Sequence, residues 1–169
     1  MVFTDRYDHT IDDKNRLAIP SAIRNAINPE TDGEAFFLVP EGRFLQLIPE
    51  QLFRKLAAAA NAGLTVNYEL SRARRLLFAT ATRLDPDKAG RVVIPDRYML
   101  DTKSRTSMGE AILERQVTLV GVGDRIELWN SSQFYEHLRG LLAERQEVQA
   151  ATGTLFNAVP AAGASGPES

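Results

Sequence analysis

The sequence repeats itself, and this repeat limits what the chain can fold into. Residues 12–20 align without a gap with residues 87–95, which lie 75 positions later. The Asp, the Arg four positions later, the Ile and the Pro are identical in the two copies, and the two positions after the Arg are small or branched apolar residues in both. Similarity of this kind indicates one supersecondary unit used twice.

A second pair of matching segments lies downstream. Residues 45–49 align with residues 126–130, now 81 positions apart, and Phe53 falls opposite Phe134. The six additional residues of the second copy fall in the polar segment 101–114, which we predict to be a loop with a short helix. The repeat therefore covers most of each half and predicts two related halves.

Each half is predicted to begin with a strand, a tight turn and a second, buried strand. Gly90 readily supplies a positive φ in such a turn, and Asn15 is the next-best residue for it. Pro20 and Pro95 then fit the first position of a following helix, which in the first copy carries Arg24 outward. The predicted strands are residues 6–11 and 79–84 before the turns, and residues 17–19 and 92–94 after them.

Each half is predicted to end with a hairpin and a helix. The hairpins pair residues 36–39 with 44–48 and residues 117–120 with 126–129, and the closing helices span 49–60 and 131–149. We assign residues 3–60 to the first half, 61–78 to a linking helix and 79–149 to the second half. Residues 150–169 are small, rich in Pro and Gly and aperiodic, so we predict a disordered tail.

Composition excludes several classes of protein. The 169 residues include no Cys, which excludes disulfides, zinc–thiolate sites and Cys nucleophiles. No apolar run approaches the ~18 residues of a membrane helix, and the N-terminus lacks the layout of a signal peptide, so we expect a cytoplasmic protein. Neither His9 nor His137 has a partner at metal-ligand spacing, and residues 121–123 lack the third Gly of a phosphate loop. We therefore expect no enzyme activity, metal, cofactor or small-molecule substrate.

Charge is distributed unevenly along the chain. The formal net charge is −2, which by itself argues against a nucleic-acid-binding protein. Residues 72–105, however, contain nine Lys or Arg against four Asp or Glu. A local basic surface is sufficient for contact with a phosphate backbone, although charges scattered over a solvated surface would give the same counts.

These features together resemble the MraZ family of transcriptional regulators over roughly residues 3–145. The matching parts are the two Asp-x-x-x-Arg-(apolar)-x-Ile-Pro motifs, residues 7–11, residues 74–78 and the Gly-rich hairpin 120–129 with its Trp. The resemblance implies an α+β fold: a double swapped-hairpin AbrB-like β-barrel with peripheral helices and an internal pseudo-two-fold repeat. It also implies a nucleoid-associated regulator that binds promoter direct repeats of double-stranded DNA, upstream of the division and cell-wall gene cluster containing its own gene. Members assemble into homo-oligomeric rings.

The chain departs from the family pattern at three places. Asn15 stands where the family usually has Gly, Met99 is the counterpart of Arg24, and the segment 101–114 is longer. The first departure bears on the first turn, the second removes a basic residue from the second copy, and the third affects how the second half meets a neighbouring subunit.

Arg16 and Arg91 are the first candidates for DNA contact. An Arg projecting from a turn at a strand end can direct its guanidinium at guanine O6 and N7 or at two phosphates. We expect Asp12 and Asp87, with Asn15 and Gly90, to hold the turns and orient these side chains. Further candidates for phosphate contact are Lys14, Lys88 and Arg24. The alternative is a plain surface ion pair worth ~0–1 kcal/mol, which does not explain why the motif recurs beside an exposed Lys.

Two other functions remain open. An AbrB-like antitoxin would bind a toxin partner and autoregulate its operon, but such chains usually carry one motif rather than two. A purely structural ring would leave the repeated Arg turns without a role.

Overall fold

The computed structural model of the chain describes residues 1–62, 68–100 and 111–157. The first half contains β1 (Arg6–Thr10), β2 (Arg16–Ala18), α1 (Ser21–Ala26), α2 (Pro29–Asp32), β3 (Phe36–Glu41), β4 (Phe44–Pro49) and α3 (Glu50–Ala62). After α4 (Tyr68–Thr80) come β5 (Thr82–Leu84), β6 (Arg91–Val93), a 3-10 helix (Asp96–Tyr98), β7 (Gln116–Gly121), β8 (Ile126–Asn130), α5 (Ser131–Ala143) and α6 (Arg145–Asn157). Most of the predicted loop 101–114 lies outside the described residues.

The strands show that the sequence repeat is also a structural repeat. A six-stranded antiparallel sheet has the order β1-β7-β8-β4-β3-β5, and β2 pairs with β6 in a separate two-stranded sheet. If each strand is replaced by its equivalent in the other half (β1 by β5, β3 by β7, β4 by β8 and the reverse), the same strand order is read from the opposite edge. The first strand of each half pairs with the hairpin of the other half, so neither half completes its own sheet.

The mixed α+β class is confirmed, but the predicted barrel is not. Among the described residues the large sheet is open, with β1 and β5 as its two edges, and β2 and β6 belong to a different sheet. All eight strands lie in one compact unit, Met1–Ser131, and the helical segment beginning at Ser132 is a second unit.

The two-stranded sheet buries only one of its faces. Leu17 pairs with Val92, and both side chains are fully buried in the main core. Ala18 and Val93 project to the opposite side and are exposed, because successive side chains of a strand alternate between faces. The prediction of continuously buried segments at 17–19 and 92–94 is therefore correct only at alternate positions.

The final prolines of the two motifs lie one position before the helix, not at its first position as predicted. Pro20 and Pro95 are the N-cap residues of α1 and of the 3-10 helix, with extended ψ values of 140° and 139°. The second copy forms only one 3-10 turn. It stops there because Leu100 N donates to Leu113 O, which draws the chain into a bridge between Met99 and Leu113.

The helices differ from the predicted boundaries at four places. Helix α3 ends at Ala62, so residues 61 and 62, assigned to the linking helix, belong to α3. Helix α4 continues to Thr80, whose hydroxyl donates to Leu76 O, so the next strand begins only at Thr82. The predicted helix 131–149 is two helices, α5 and α6. Helix α6 extends to Asn157, which corrects the predicted disorder of residues 150–157: Ala150 and Ala151 favour helix strongly enough to accommodate Gly153. Residues 158–169 lie outside the described residues.

No helix in the described ranges has the length and apolar character needed to cross a bilayer.

Two adjacent valines test the two faces of the small sheet. We expect Val92→Ala to lower the free energy of unfolding by about 2 kcal/mol, because it removes buried methyl groups and leaves a cavity. The matched control Val93→Ala removes the same groups from a side chain that is 58% exposed and should cost less than about 0.5 kcal/mol. Urea unfolding of both variants measures the difference, and equal losses would contradict this arrangement.

Candidate nucleic-acid interface

The first turn, residues 12–16, is organised around a single carboxylate. Asn15 N donates to Asp12 O at 2.9 Å, and Asp12 N donates to Arg16 O at 3.0 Å. Oδ1 of Asp12 accepts the backbone N–H groups of both Lys14 and Arg16 at 2.9 Å. Asn15 has a φ of 58°, the left-handed conformation predicted for it. The aspartate therefore holds the turn from inside.

The second turn, residues 87–91, repeats this pattern. Gly90 N donates to Asp87 O and Asp87 N to Arg91 O, both at 2.8 Å. Oδ1 of Asp87 accepts the N–H groups of Ala89 and Arg91 at 2.9 Å, and Gly90 has a φ of 74°. The two aspartates therefore accept equivalent backbone N–H groups in the two turns.

The same aspartates also hold the two arginines. Nε of Arg16 donates to Asp12 Oδ2 at 2.7 Å, and Nε of Arg91 donates to Asp87 Oδ2 at 2.9 Å. The side chains of Arg16 and Arg91 remain 35% and 40% exposed. Since a guanidinium carries five N–H donors, each arginine keeps donors for an external acceptor while its orientation is fixed.

The aspartates are more acidic than usual. The backbone N–H and then the guanidinium of Arg16 hold the pKa of Asp12 below its ordinary value, and Arg91 lowers the pKa of Asp87 in the same way. Both carboxylates are therefore charged at neutral pH, and both Asp–Arg pairs are intact there.

The two arginines share one face of the small sheet. Arg16 lies opposite Val93, and Arg91 lies opposite Ala18. With Leu17 and Val92 directed into the core, both arginines project outward with their Cα atoms about 8 Å apart, as the spacing of strands and residues requires. We call β2 and β6 with the two turns the arginine ribbon. A two-stranded ribbon is one of the elements that the major groove of B-DNA can accommodate.

The two lysines lie in the turns but not at equivalent positions. Lys14 aligns with Ala89, and Lys88 aligns with Asp13. All four side chains are exposed. Each turn therefore presents one Lys beside its Arg, at a different point along the turn.

Arg24 belongs to the second turn, although it lies in the first half. Its Nε donates to Ile19 O at 3.1 Å, and its side chain lies across Gly90. A Cβ atom on Gly90 would lie 2.6 Å from Arg24 Cδ. Gly90 is therefore favoured by its positive φ, and a side chain there would also displace Arg24.

Arg115 also belongs to this region, although the sequence did not predict it as a site residue. Nη1 of Arg115 donates to Asp12 O at 2.5 Å and to Asn15 Oδ1 at 2.7 Å, and the amide of Asn15 donates to Asp96. These contacts join positions 81 to 103 residues apart. No local pattern in the sequence signals them.

The geometry defines an internally duplicated α+β protein with a basic, two-stranded ribbon on its surface. The sequence model of the family described as "MraZ protein, putative antitoxin-like" matches residues 77–157. The chain is similar to proteins named transcriptional regulator MraZ from three bacteria. It is 32% identical to that of Thermomicrobium roseum over 156 residues, 92% of this chain and 100% of the relative. It is 30% identical to that of Mesoplasma florum over 154 residues, which cover 90% of this chain and 95% of the relative. It is 33% identical to that of Chromobacterium violaceum over 134 residues, which cover 79% of this chain and 84% of the relative. The chain belongs to the MraZ family.

Two glycines with positive φ separate the effect of Arg24 from backbone strain. A Cβ on Gly42 meets nothing within 4 Å, so we expect Gly42→Ala to cost only about 1 kcal/mol for the left-handed conformation. Gly90→Ala should cost about 1 kcal/mol more, because Arg24 must give up its hydrogen bond to Ile19. Thermal unfolding measures both. In an Arg24→Ala background the two costs should become equal, and an unchanged difference would contradict the proposed contact.

The pH dependence follows from the lowered pKa values. We expect Asp12 and Asp87 to titrate below the ordinary ~3.9 when their carboxyl carbons are followed by NMR. Because the folded pKa is the lower one, ionisation stabilises the fold above pH ~3.9, and this stabilisation is lost as the pH falls through the folded pKa. In Arg16→Ala the pKa of Asp12 should rise part of the way while that of Asp87 stays unchanged. Ordinary pKa values in the wild type would contradict the described turns.

Proposed function

We propose that this protein is a DNA-binding transcription regulator that contacts DNA with the arginine ribbon. The observation that carries the proposal is that Arg16 and Arg91 lie on the same exposed face of the small sheet. Each of them is held by the aspartate of its own turn. An ion pair needed only for stability would not have to recur at equivalent positions with exposed donors.

The ribbon offers two kinds of contact. The oriented guanidinium groups of Arg16 and Arg91 fit guanine O6 and N7 or a pair of phosphates. The exposed Lys14 and Lys88 fit phosphates on either side, because a flexible ammonium group supplies charge with little directional demand. Arg24, which lies over the second turn, adds a third basic group there.

The family supports a more specific role, which is part of the same proposal. The protein would act at the nucleoid, bind promoter direct repeats and repress the division and cell-wall gene cluster that contains its own gene. Several copies would form a ring and engage several repeats at once. Linking weak sites in this way can raise affinity by ~10²–10⁴ without any new contact.

Fluorescence anisotropy with DNA from upstream of the protein's own gene tests the proposal. We expect specific binding that weakens steeply with salt, since neutralised phosphates release counterions. Arg16→Ala and Arg91→Ala should each weaken binding to the specific duplex by roughly 10- to 100-fold, the range expected for loss of a base-reading arginine. Duplexes with one and with several repeats, measured in parallel, test the contribution of the ring.

Arg43→Ala is the matched control for this experiment. Arg43 is exposed in the β3–β4 turn, so its loss changes the net charge equally without touching the ribbon. We expect it to leave specific binding nearly unchanged. Binding to the promoter duplex no tighter than to scrambled DNA would overturn the proposed function. Equal affinity for one repeat and for several would overturn only the ring.

A second candidate is an antitoxin that binds a protein partner. The description of the matched family includes the words antitoxin-like, and α5 exposes the adjacent side chains of Leu141 and Leu142. A stoichiometric protein partner lost in Leu142→Glu, together with absent promoter binding, would favour this function over the first.

A further inference from the structure

The two turns differ at the residue just before each aspartate and in the neighbours of that residue. At the first turn, Ile11 N donates to Arg115 O at 2.8 Å, which extends the β1–β7 pairing by one position. At the second turn the equivalent residue is Pro86, which has no N–H to donate. The alignment of the hairpins, 81 positions apart, makes Glu34 the counterpart of Arg115. The arginine beside the first turn therefore has a glutamate as its counterpart in the other half.

Arg115 holds the first turn from the opposite half. A single nitrogen, Nη1, donates to the carbonyl of Asp12 and to the side-chain oxygen of Asn15. Asn15 is only 7% exposed, and its amide nitrogen donates to Asp96 on the other side. These contacts fix the one residue of the turn whose left-handed conformation is unfavourable for a side chain other than Gly.

The second turn has a different kind of contact. Gly90 offers no side chain to hold, and Arg24 lies across it while donating to Ile19 O rather than to the carbonyl of Asp87. The carboxylate of Asp87 and the backbone hydrogen bonds maintain this turn. The first turn has all of these bonds and the Arg115 contacts in addition.

We propose that Arg115 is a positioning residue that fixes the first turn before DNA binds, so that the two turns contact DNA inequivalently. The first turn acts as a preformed contact, and the second adapts to the DNA. A group held in its bound geometry loses less freedom on binding, so it contributes more affinity per contact. Arg115 itself does not contact DNA in this proposal, which rests on the proposed function of the arginine ribbon.

Amide hydrogen exchange of the DNA-free protein tests the positioning directly. The turns provide matched sets of three hydrogen-bonded N–H groups: residues 14–16 in the first and 89–91 in the second. In Arg115→Met we expect exchange to accelerate about tenfold at the first set, because two hydrogen bonds are lost, and to change less than about twofold at the second. Arg115→Lys should behave like Arg115→Met, because the lysine side chain is one bond shorter and its ammonium nitrogen cannot reach the position of Nη1, which makes both contacts.

Two further variants guard against a general loss of stability. Asn15→Gly keeps the left-handed backbone but removes one of the two acceptors of Arg115, the Asn15 side chain, so it should accelerate exchange at the first set alone. Arg125→Met removes the same charge at the hairpin between β7 and β8, where Arg125 pairs with Asp124, and should accelerate neither set. Equal acceleration at both turns, or none at the first, would overturn the proposal.

Binding to the promoter duplex separates positioning from direct contact. Arg115→Met and Arg115→Lys should both weaken binding about tenfold with an unchanged salt slope, the result expected when no phosphate contact is lost. A slope lower by about one in Arg115→Met, with binding restored in Arg115→Lys, would show a phosphate contact instead and overturn the positioning role. If the wild type fails to bind DNA specifically, the proposed function fails, but the exchange result still decides whether Arg115 fixes the turn.

Discussion

Two reciprocal backbone hydrogen bonds join the halves where the ribbon is built. Ile19 N donates to Gly90 O at 2.9 Å, and Ile94 N donates to Asn15 O at 2.8 Å. The two acceptors are the residues with positive φ, one in each turn. Each turn can thus offer its carbonyl to the other half only while it keeps its left-handed residue, and each half completes its ribbon only with the other half in place. One constraint therefore determines three features: the conformation of the turns, the pairing of β2 with β6, and the pairing of each half's first strand with the other half's hairpin.

The aspartates link this constraint to the exposed arginines. A surface Asp–Arg ion pair alone contributes little, because solvent screens it and two side chains lose freedom. Here Asp12 and Asp87 also accept two backbone N–H groups each, so the carboxylate is already fixed by the turn when the arginine reaches it. The guanidinium is therefore oriented at small additional entropic cost. The geometry accounts for why the Asp and the Arg recur together at this spacing.

What could be predicted from the sequence is what depends on neighbouring residues. The positive φ at Asn15 and Gly90 and the two hairpins follow from local preferences, and the structure confirms them. Helix α4 lies between the halves, within other bounds than the predicted linking helix. The contacts of Arg115 and Arg24 with the turns could not be predicted, because they depend on which strands of the two halves pair. The open sheet could not be predicted for the same reason, since the hydrophobic periodicity of a strand does not show which other strand it pairs with. The helix over residues 150–157 could not be predicted, because small residues and a Gly are also typical of disordered segments.

The duplication within one chain has a physical consequence for the kind of DNA site that the ribbon suits. Two identical chains around a two-fold axis must present identical turns, and they therefore suit sites with the same symmetry. In this chain the turns have diverged: Asn15 with Arg115 on one side, Gly90 with Arg24 on the other. A ribbon with inequivalent ends has a direction along the DNA. A direction of this kind is what tandem repeats in one orientation require, and a symmetric ribbon could not distinguish the two orientations of such a repeat. The divergence of the turns and the proposed use of direct repeats are therefore physically consistent with each other.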